Sequence, residues 1–225
     1  MTKKNLTIQN LIDSAHQFCE QESLFENKEL FGVTDGKAVG TFIEHKFKDF
    51  LNKRFNVENG NSAMGIDLPS PQINTDIKVT SIRQPQSSSP FKNAKQKIFG
   101  LGYNLLVFVY EKTDNQEKEF ALLDFKSCSF IKDERTADYT TTFRLLEMLK
   151  DGANEEDIIA YLNDKNIPAD DIALTQIAKQ IIKNPPNLGY LTISNALQWR
   201  LQYGRIVALS EKVDGIIKIV DKVTH

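Results

Sequence analysis

Apolar positions recur at helical spacing in the first quarter of the chain. Between residues 7 and 23 they fall at Ile8, Leu11, Ile12, Ala15 and Phe18, which predicts an amphipathic helix. A Gly-containing turn at Gly32 to Gly36 follows. Residues 37–55 then repeat the spacing with Val39, Phe42, Ile43, Phe47, Phe50 and Leu51. Residues 56–66 hold a turn (Asn59, Gly60, Asn61) and a short extended piece. The β-branched density from Ile73 to Ser81 predicts a strand. QPQSSSP, residues 84–90, reads as a loop. Pro90 opens a helix running to about Gly100, capped by Ser88 or Ser89, with Phe91, Ala94, Ile98 and Leu101 on one side. Residues 103–112 form a near-continuous apolar strand of the kind buried on both faces. A turn at Asp114 and Asn115 leads to a further strand over 119–131. Beyond Tyr139 the pattern is helical, with helices expected near 139–150, 155–164, 168–183 and 192–211, and a closing strand from Gly215 to Val220.

This order predicts an α/β fold, a mixed β-sheet flanked by helices over residues 1–135. A mainly helical region, residues 136–225, follows it. Pro185, Pro186 and Gly189 interrupt that region, but no long linker sets it apart, so one compact unit is expected. The 225 residues, 40% apolar and 26% charged, are ordinary for a globular chain with a sizeable core. No apolar run approaches a membrane span, and the opening MTKKNLTIQNLID has no apolar stretch behind its lysines, so neither an anchor nor a secretory signal is expected. Only Cys19 and Cys128 are present, far apart in sequence, which fits a reduced, cytoplasmic protein.

A net charge of −2 does not advertise a polyanion partner, but the average hides an asymmetry. The 34 residues between Asp76 and Glu111 contain no acid, yet hold Lys78, Arg83, Lys92, Lys95 and Lys97. Just upstream lies Asp67-Leu-Pro-Ser-Pro-Gln-Ile-Asn-Thr-Asp76-Ile77-Lys78. In a strand, Asp76 and Lys78 share one face while Ile77 and Val79 point into the core. The Pro-Ser-Pro segment permits a turn that returns Asp67 to the side of Asp76. Two carboxylates with a backbone carbonyl between them suit a hard divalent ion such as magnesium. A neighbouring lysine can orient a water or neutralise a phosphate, and together these parts support metal-assisted phosphodiester hydrolysis.

An acid followed some ten residues later by acid–apolar–lysine resembles the active-site pattern of PD-(D/E)xK nucleases, particularly type II restriction endonucleases. Asp67, Asp76 and Lys78 occupy those places. The proline lies two residues after Asp67, which departs slightly from the pattern. The resemblance implies metal binding by Asp67, Asp76 and the Ile77 carbonyl, and water positioning by Lys78. It also implies a glutamate on the preceding helix, for which Glu44 is the candidate. Glu44 falls at the Leu51 edge of the apolar arc. It either turns toward the site or pairs at the boundary with Lys48, which is expected to face solvent. Further implications are Mg2+-dependent cleavage of double-stranded DNA at a palindrome, 5′-phosphate ends, a homodimer and a cognate DNA methyltransferase in the same system, with no stable complex between the two implied.

Two segments are candidates for DNA contact. In the first, Gln84, Gln86, Ser87 and Ser88 precede a helix N-terminus, with Lys92, Lys95 and Lys97 away from its apolar side. In the second, Asn195, Gln198, Gln202 and Arg205 fall within an arc of about 80° if 192–211 is a helix. A plain solvated face remains open for that stripe, as does a winged-helix-like arrangement. His16, His45 and His225 are isolated, and no zinc spacing, ATP-binding phosphate loop, dinucleotide motif or serine-nucleophile elbow is present. The alternatives to a restriction enzyme are a repair, recombination or phage-type nuclease of low specificity, and a non-catalytic DNA-binding regulator.

Overall fold

The computed structural model describes residues 3–60, 65–89, 93–194 and 199–223. The chain divides into two compact units. One comprises Met1–Ser87, Tyr103–Ile131 and Val207–His225, and the other Ser88–Gly102 and Lys132–Ile206. The expected boundary near residue 135 thus differs from the observed one in two segments. Ser88–Gly102 belongs to the second unit, and the C-terminal strand returns to the first.

The first unit begins with a two-residue strand β1 (Lys4–Asn5) and helix α1 (Ile8–Glu22). The helix starts where the Thr7 side chain accepts the Asn10 N–H at 3.1 Å. Helix α2 (Gly36–Asn52) is capped by Asp35, whose carboxylate accepts the Lys37 N–H at 2.9 Å. Next come β2 (Phe55–Asn56), paired in parallel with β1, and β3 (Thr75–Ser81). Strand β4 (Gln86–Ser89) runs into the second unit, where helix α3 (Gln96–Phe99) lies. Strands β5 (Asn104–Asn115) and β6 (Phe120–Ile131) return to the first unit.

The second unit carries α4 (Tyr139–Lys150), α5 (Glu155–Asp164) and α6 (Asp171–Lys183), then β7 (Thr192–Ile193), β8 (Trp199–Gln202) and α7 (Gly204–Val207). Strand β9 (Ile216–Asp221) completes the first unit's sheet.

That sheet has the order β3-β5-β6-β9, so β3 is an edge strand. The β3–β5 pair is parallel, with Ile77 opposite Leu106, and the other two pairs are antiparallel, which makes the sheet mixed. Alternate residues of β5 face opposite ways. Leu106 and Phe108 join one core, yet Leu105 and Val107 are also fully buried, so β5 is covered on both faces. Helices α1 and α2 pack on this sheet through Phe18, Phe47, Ile43 and Leu51. At the centre the Phe47 ring lies 4.9 Å from Phe108 and 5.1 Å from Phe18, edge to face.

The second unit is helical around Leu145, Ile158, Leu162, Leu174 and Ile177, with a three-stranded sheet ordered β4-β8-β7. Here three expectations fail. The helix expected over 192–211 is instead, among the described residues, two short strands and one helical turn. Its apolar spacing (Leu197, Leu201, Val207) fits a helix, but Trp199 to Gln202 alternates buried and exposed, a period of two. The amide stripe and the winged-helix arrangement that rested on that helix go with it. Residues 86–89, expected as loop, form a strand although Gln-Ser-Ser-Ser has no strand propensity, because β8 supplies hydrogen-bonding partners. The helix expected from Pro90 to Gly100 is, among the described residues, only the four-residue α3. So short a helix defines no outer face, and Lys97 is buried on it.

Phe47 is wholly buried. Phe47→Ala is expected to lower the stability of the first unit by about 3–5 kcal/mol, read as a shifted midpoint in denaturant unfolding.

Candidate active site

The site forms at the free edge of β3. The chain before it folds back on itself through Pro69-Ser70-Pro71. Leu68 and Thr75 exchange backbone hydrogen bonds, each 3.0 Å, and Asn74 turns the corner with a positive φ of 36° that asparagine tolerates. This return sets Asp67 beside Ile77, and its Oδ2 accepts the Ile77 N–H at 2.8 Å. The Asp67 backbone is held from the other side, where its carbonyl accepts the Gly60 N–H at 2.8 Å. Gly60 is required at that approach, since a Cβ there would lie 1.8 Å from the Ile66 carbonyl oxygen.

In a strand, one residue's N–H and C=O point to the same edge. The Ile77 N–H is turned to the open edge of β3, and so is its carbonyl. Asp76 and Lys78 project together from the sheet, with Lys78 Nζ 2.7 Å from Asp76 Oδ2. The Asp76 and Asp67 carboxyls are near enough that each shifts the titration of the other.

Helix α2 supplies the remaining groups. Gly40 lets it approach closely, because a Cβ there would meet the Val79 carbonyl oxygen at 3.1 Å. Glu44 and Lys48 follow one and two turns later on that same face. Lys48 Nζ lies 2.7 Å from Glu44 Oε1 and 2.5 Å from Asp67 Oδ1. Lys48 was expected in solvent, but its side chain is only 16% exposed. The expectation fails because the apolar arc of α2 cannot report an acidic neighbour arriving from residue 67. Glu44 does pair with Lys48, and through it reaches Asp67.

Burial dominates the electrostatics. It pushes the Asp76 carboxyl up to about 7, against the opposing charge of Lys78. Burial also acts upward on Asp67, yet hydrogen bonds from Asp76, Lys48 and the Ile77 N–H outweigh it and hold Asp67 below the usual carboxylate range. Glu44 is raised by burial, with Lys48 opposing. Burial acts to lower the Lys48 ammonium, but its bonds to Asp67 and Glu44 prevail and raise it. Among the described residues no group of three or more His, Cys, Asp or Glu side chains could hold a metal. The oxygen atoms gathered at the β3 edge that could face a cation are those of Asp67, Asp76 and the Ile77 carbonyl. All are oxygen donors, and the three carboxylates of Glu44, Asp67 and Asp76 outnumber the two lysines paired with them, Lys48 and Lys78, so the set fits a hard divalent ion.

The residues considered for DNA contact are scattered more widely. Gln84 and Ser88 are exposed, Gln86 and Ser87 half-buried. Gln86 is tied by its N–H to the Thr80 hydroxyl at 3.2 Å. Lys95 is exposed and donates to Gln180 Oε1 at 2.8 Å. Lys97, expected on an outer face, is buried and donates to the Ile193 carbonyl at 3.0 Å. Burial lowers its pKa, with Asp138 opposing. It is a structural tie, not a phosphate ligand. Gln202 is exposed on β8, as is Arg200, which the sequence reading did not single out. Arg205 lies 3.6 Å over the Tyr139 ring. Lys92, Asn195 and Gln198 lie outside the described residues.

A mixed sheet whose edge strand carries Asp-x-Lys beside a returning aspartate is the arrangement expected of a restriction-type nuclease, and comparison with known proteins agrees in class. The chain is 50% identical over 214 residues to the type II restriction enzyme NspV of Nostoc sp., a match covering 95% of this chain and 96% of that protein. A weaker structural likeness, TM-score 0.36 and 12% identity over 88% of this chain and 76% of the other, is to tetrameric restriction endonuclease SfiI bound to cognate DNA. Residues 5–218 match the family of type II restriction enzyme NspV, and the chain belongs to that family.

Because the folded Asp76 pKa lies above the ordinary carboxylate value of 3.8, the native state binds the extra proton between the two values. Its contribution to stability is complete below pH 3.8 and is lost as pH rises through about 7. In EDTA, unfolding at pH 5 should therefore need more denaturant than at pH 8, and Asp76→Asn should flatten that difference. An unchanged pH dependence in the variant would contradict the assignment.

Proposed function

We propose that this restriction enzyme hydrolyses phosphodiester bonds of double-stranded DNA at a specific palindromic site, using Mg2+ and leaving 5′-phosphates. The observation that carries the reading is the cluster of Asp67, Asp76 and Lys78 gathered at the free edge of β3. Asp67, Asp76 and the Ile77 carbonyl would hold the ion. When bound, it activates water and stabilises charge on the phosphoryl oxygens.

The chain's own groups do the rest. Lys78, fixed by its ion pair with Asp76, orients the attacking water, and its charge offsets negative charge growing on the phosphate. Glu44 accepts hydrogen bonds from waters at the α2 side of the site. The exposed amides and hydroxyls of Gln84, Ser88 and Gln202, with Gln86 and Ser87 beside them, suit base-edge and backbone contacts. Lys95 and Arg205 supply positive charge to phosphates. Cutting both strands of a palindrome takes two active sites, so a symmetric homodimer is the fitting assembly. Such an enzyme requires protection of host DNA, for which a cognate methyltransferase acting separately suffices.

Incubation with long phage DNA, unmethylated genomic DNA included, should give discrete bands with Mg2+ and none with EDTA. A smear would replace the site-specific reading with a low-specificity nuclease. Asp76→Ala and Lys78→Ala should each cut at least about 10²–10⁴-fold more slowly while folding and binding DNA in a gel shift. Retained cleavage by folded Lys78→Ala would overturn the role given to that residue.

A further inference from the structure

The proposed chemistry gives Lys48 no role, yet Lys48 is built into the site. Its ammonium sits between two carboxylate oxygens, Glu44 Oε1 at 2.7 Å and Asp67 Oδ1 at 2.5 Å. The three side chains are 16%, 27% and 17% exposed, so the contact is partly shielded from water and from screening ions. Its place is dictated by backbone. Gly40 brings α2 against Val79, and the i, i+4 spacing then delivers Glu44 and Lys48 in sequence along the site. Asp67 is anchored independently through the Ile77 N–H on its other oxygen.

The charge balance is also informative. Glu44, Asp67 and Asp76 carry three formal negative charges when ionised, and Lys48 and Lys78 carry two positive ones. A single divalent ion at Asp67 and Asp76 brings the cluster to a small net positive charge. A second divalent ion would need the Glu44 and Asp67 oxygens that Lys48 already holds, and would place a dication against an ammonium in a half-desolvated pocket.

We propose that Lys48 is the built-in second cation of the active site: it fills the space between Glu44 and Asp67, orients Asp67, and limits the cluster to one divalent ion per chain. This rests on the reading of Asp67 and Asp76 as the cation site. Lys48 is a positioning residue, acting through Asp67. Its effect therefore reads out in ion stoichiometry, which a merely structural lysine would not alter.

The test is titration of the full-length protein with Mn2+ in the absence of DNA, following free Mn2+ by electron paramagnetic resonance. Wild type should bind one ion per chain, and so should Lys48→Arg, which keeps the charge. Lys48→Gln, checked for cooperative unfolding, should bind two, because the freed Glu44 and Asp67 oxygens accept the second. Two ions on wild type overturn the proposal without recourse to any variant, as does a folded Lys48→Gln protein that still binds one. Wild type that binds no Mn2+ removes the underlying cation site itself, and with it this proposal. That result is distinct from two ions, which leaves the Asp67–Asp76 site standing.

Discussion

The candidate active site depends on one backbone edge. Strand β3 is hydrogen-bonded along one side only, to β5, and its other side presents N–H and C=O groups that need partners. A loop folded back by Pro69-Ser70-Pro71 satisfies part of that edge through Leu68 and part through the Asp67 carboxylate. The same contacts that satisfy the edge fix an aspartate beside Asp76. Satisfying the strand's edge and assembling the acidic cluster are one event. An interior strand could not do this, since a neighbouring strand would occupy the Ile77 N–H and carbonyl.

The cluster then poses an electrostatic problem that the fold answers with lysines. Three carboxylates converge from α2, from the returning loop and from β3. Left alone in a half-desolvated pocket they would repel, and burial alone already drives Asp76 toward the protonated form. Lys78 answers Asp76 from within the same strand, two residues on. Lys48 answers Glu44 and Asp67 from a helix that could not come so near without Gly40. Two lysines thus face three carboxylates, each lysine held by an ion pair.

The second unit uses buried polar groups differently. Asp138 caps α4 by accepting the Thr141 N–H at 2.8 Å, and its other oxygen accepts the Ile193 N–H at 2.8 Å. Lys97 donates to the Ile193 carbonyl on the same residue. A two-residue strand is thereby pinned by charge-assisted bonds to groups from two other segments. Such a strand has too little ladder of its own to hold its place. No local pattern announces it, and the lysine involved looks in sequence like one more member of a basic surface run.

The sequence by itself determined the elements whose periodicity is long and whose caps are local. Helices α1, α2, α4, α5 and α6 follow from apolar spacing with Thr7, Asp35, Asp138, Asn154 and Asp170 at their starts. β5 follows from a near-continuous apolar run, and β6 from the apolar-rich stretch after the turn. It also placed Asp76 and Lys78 on one strand face, because a period of two is a property of the strand alone. Tertiary structure decided whatever depends on a partner distant in the chain. That Lys48 turns inward depends on Asp67, nineteen residues away. That Gln86–Ser89 is a strand depends on β8. Residues 192–207 satisfy both a helical and an alternating pattern over so few apolar positions, and only the packing of Trp199 and Leu201 selects the strand. Short segments bury too little surface to choose their own conformation, so the choice passes to the elements they meet.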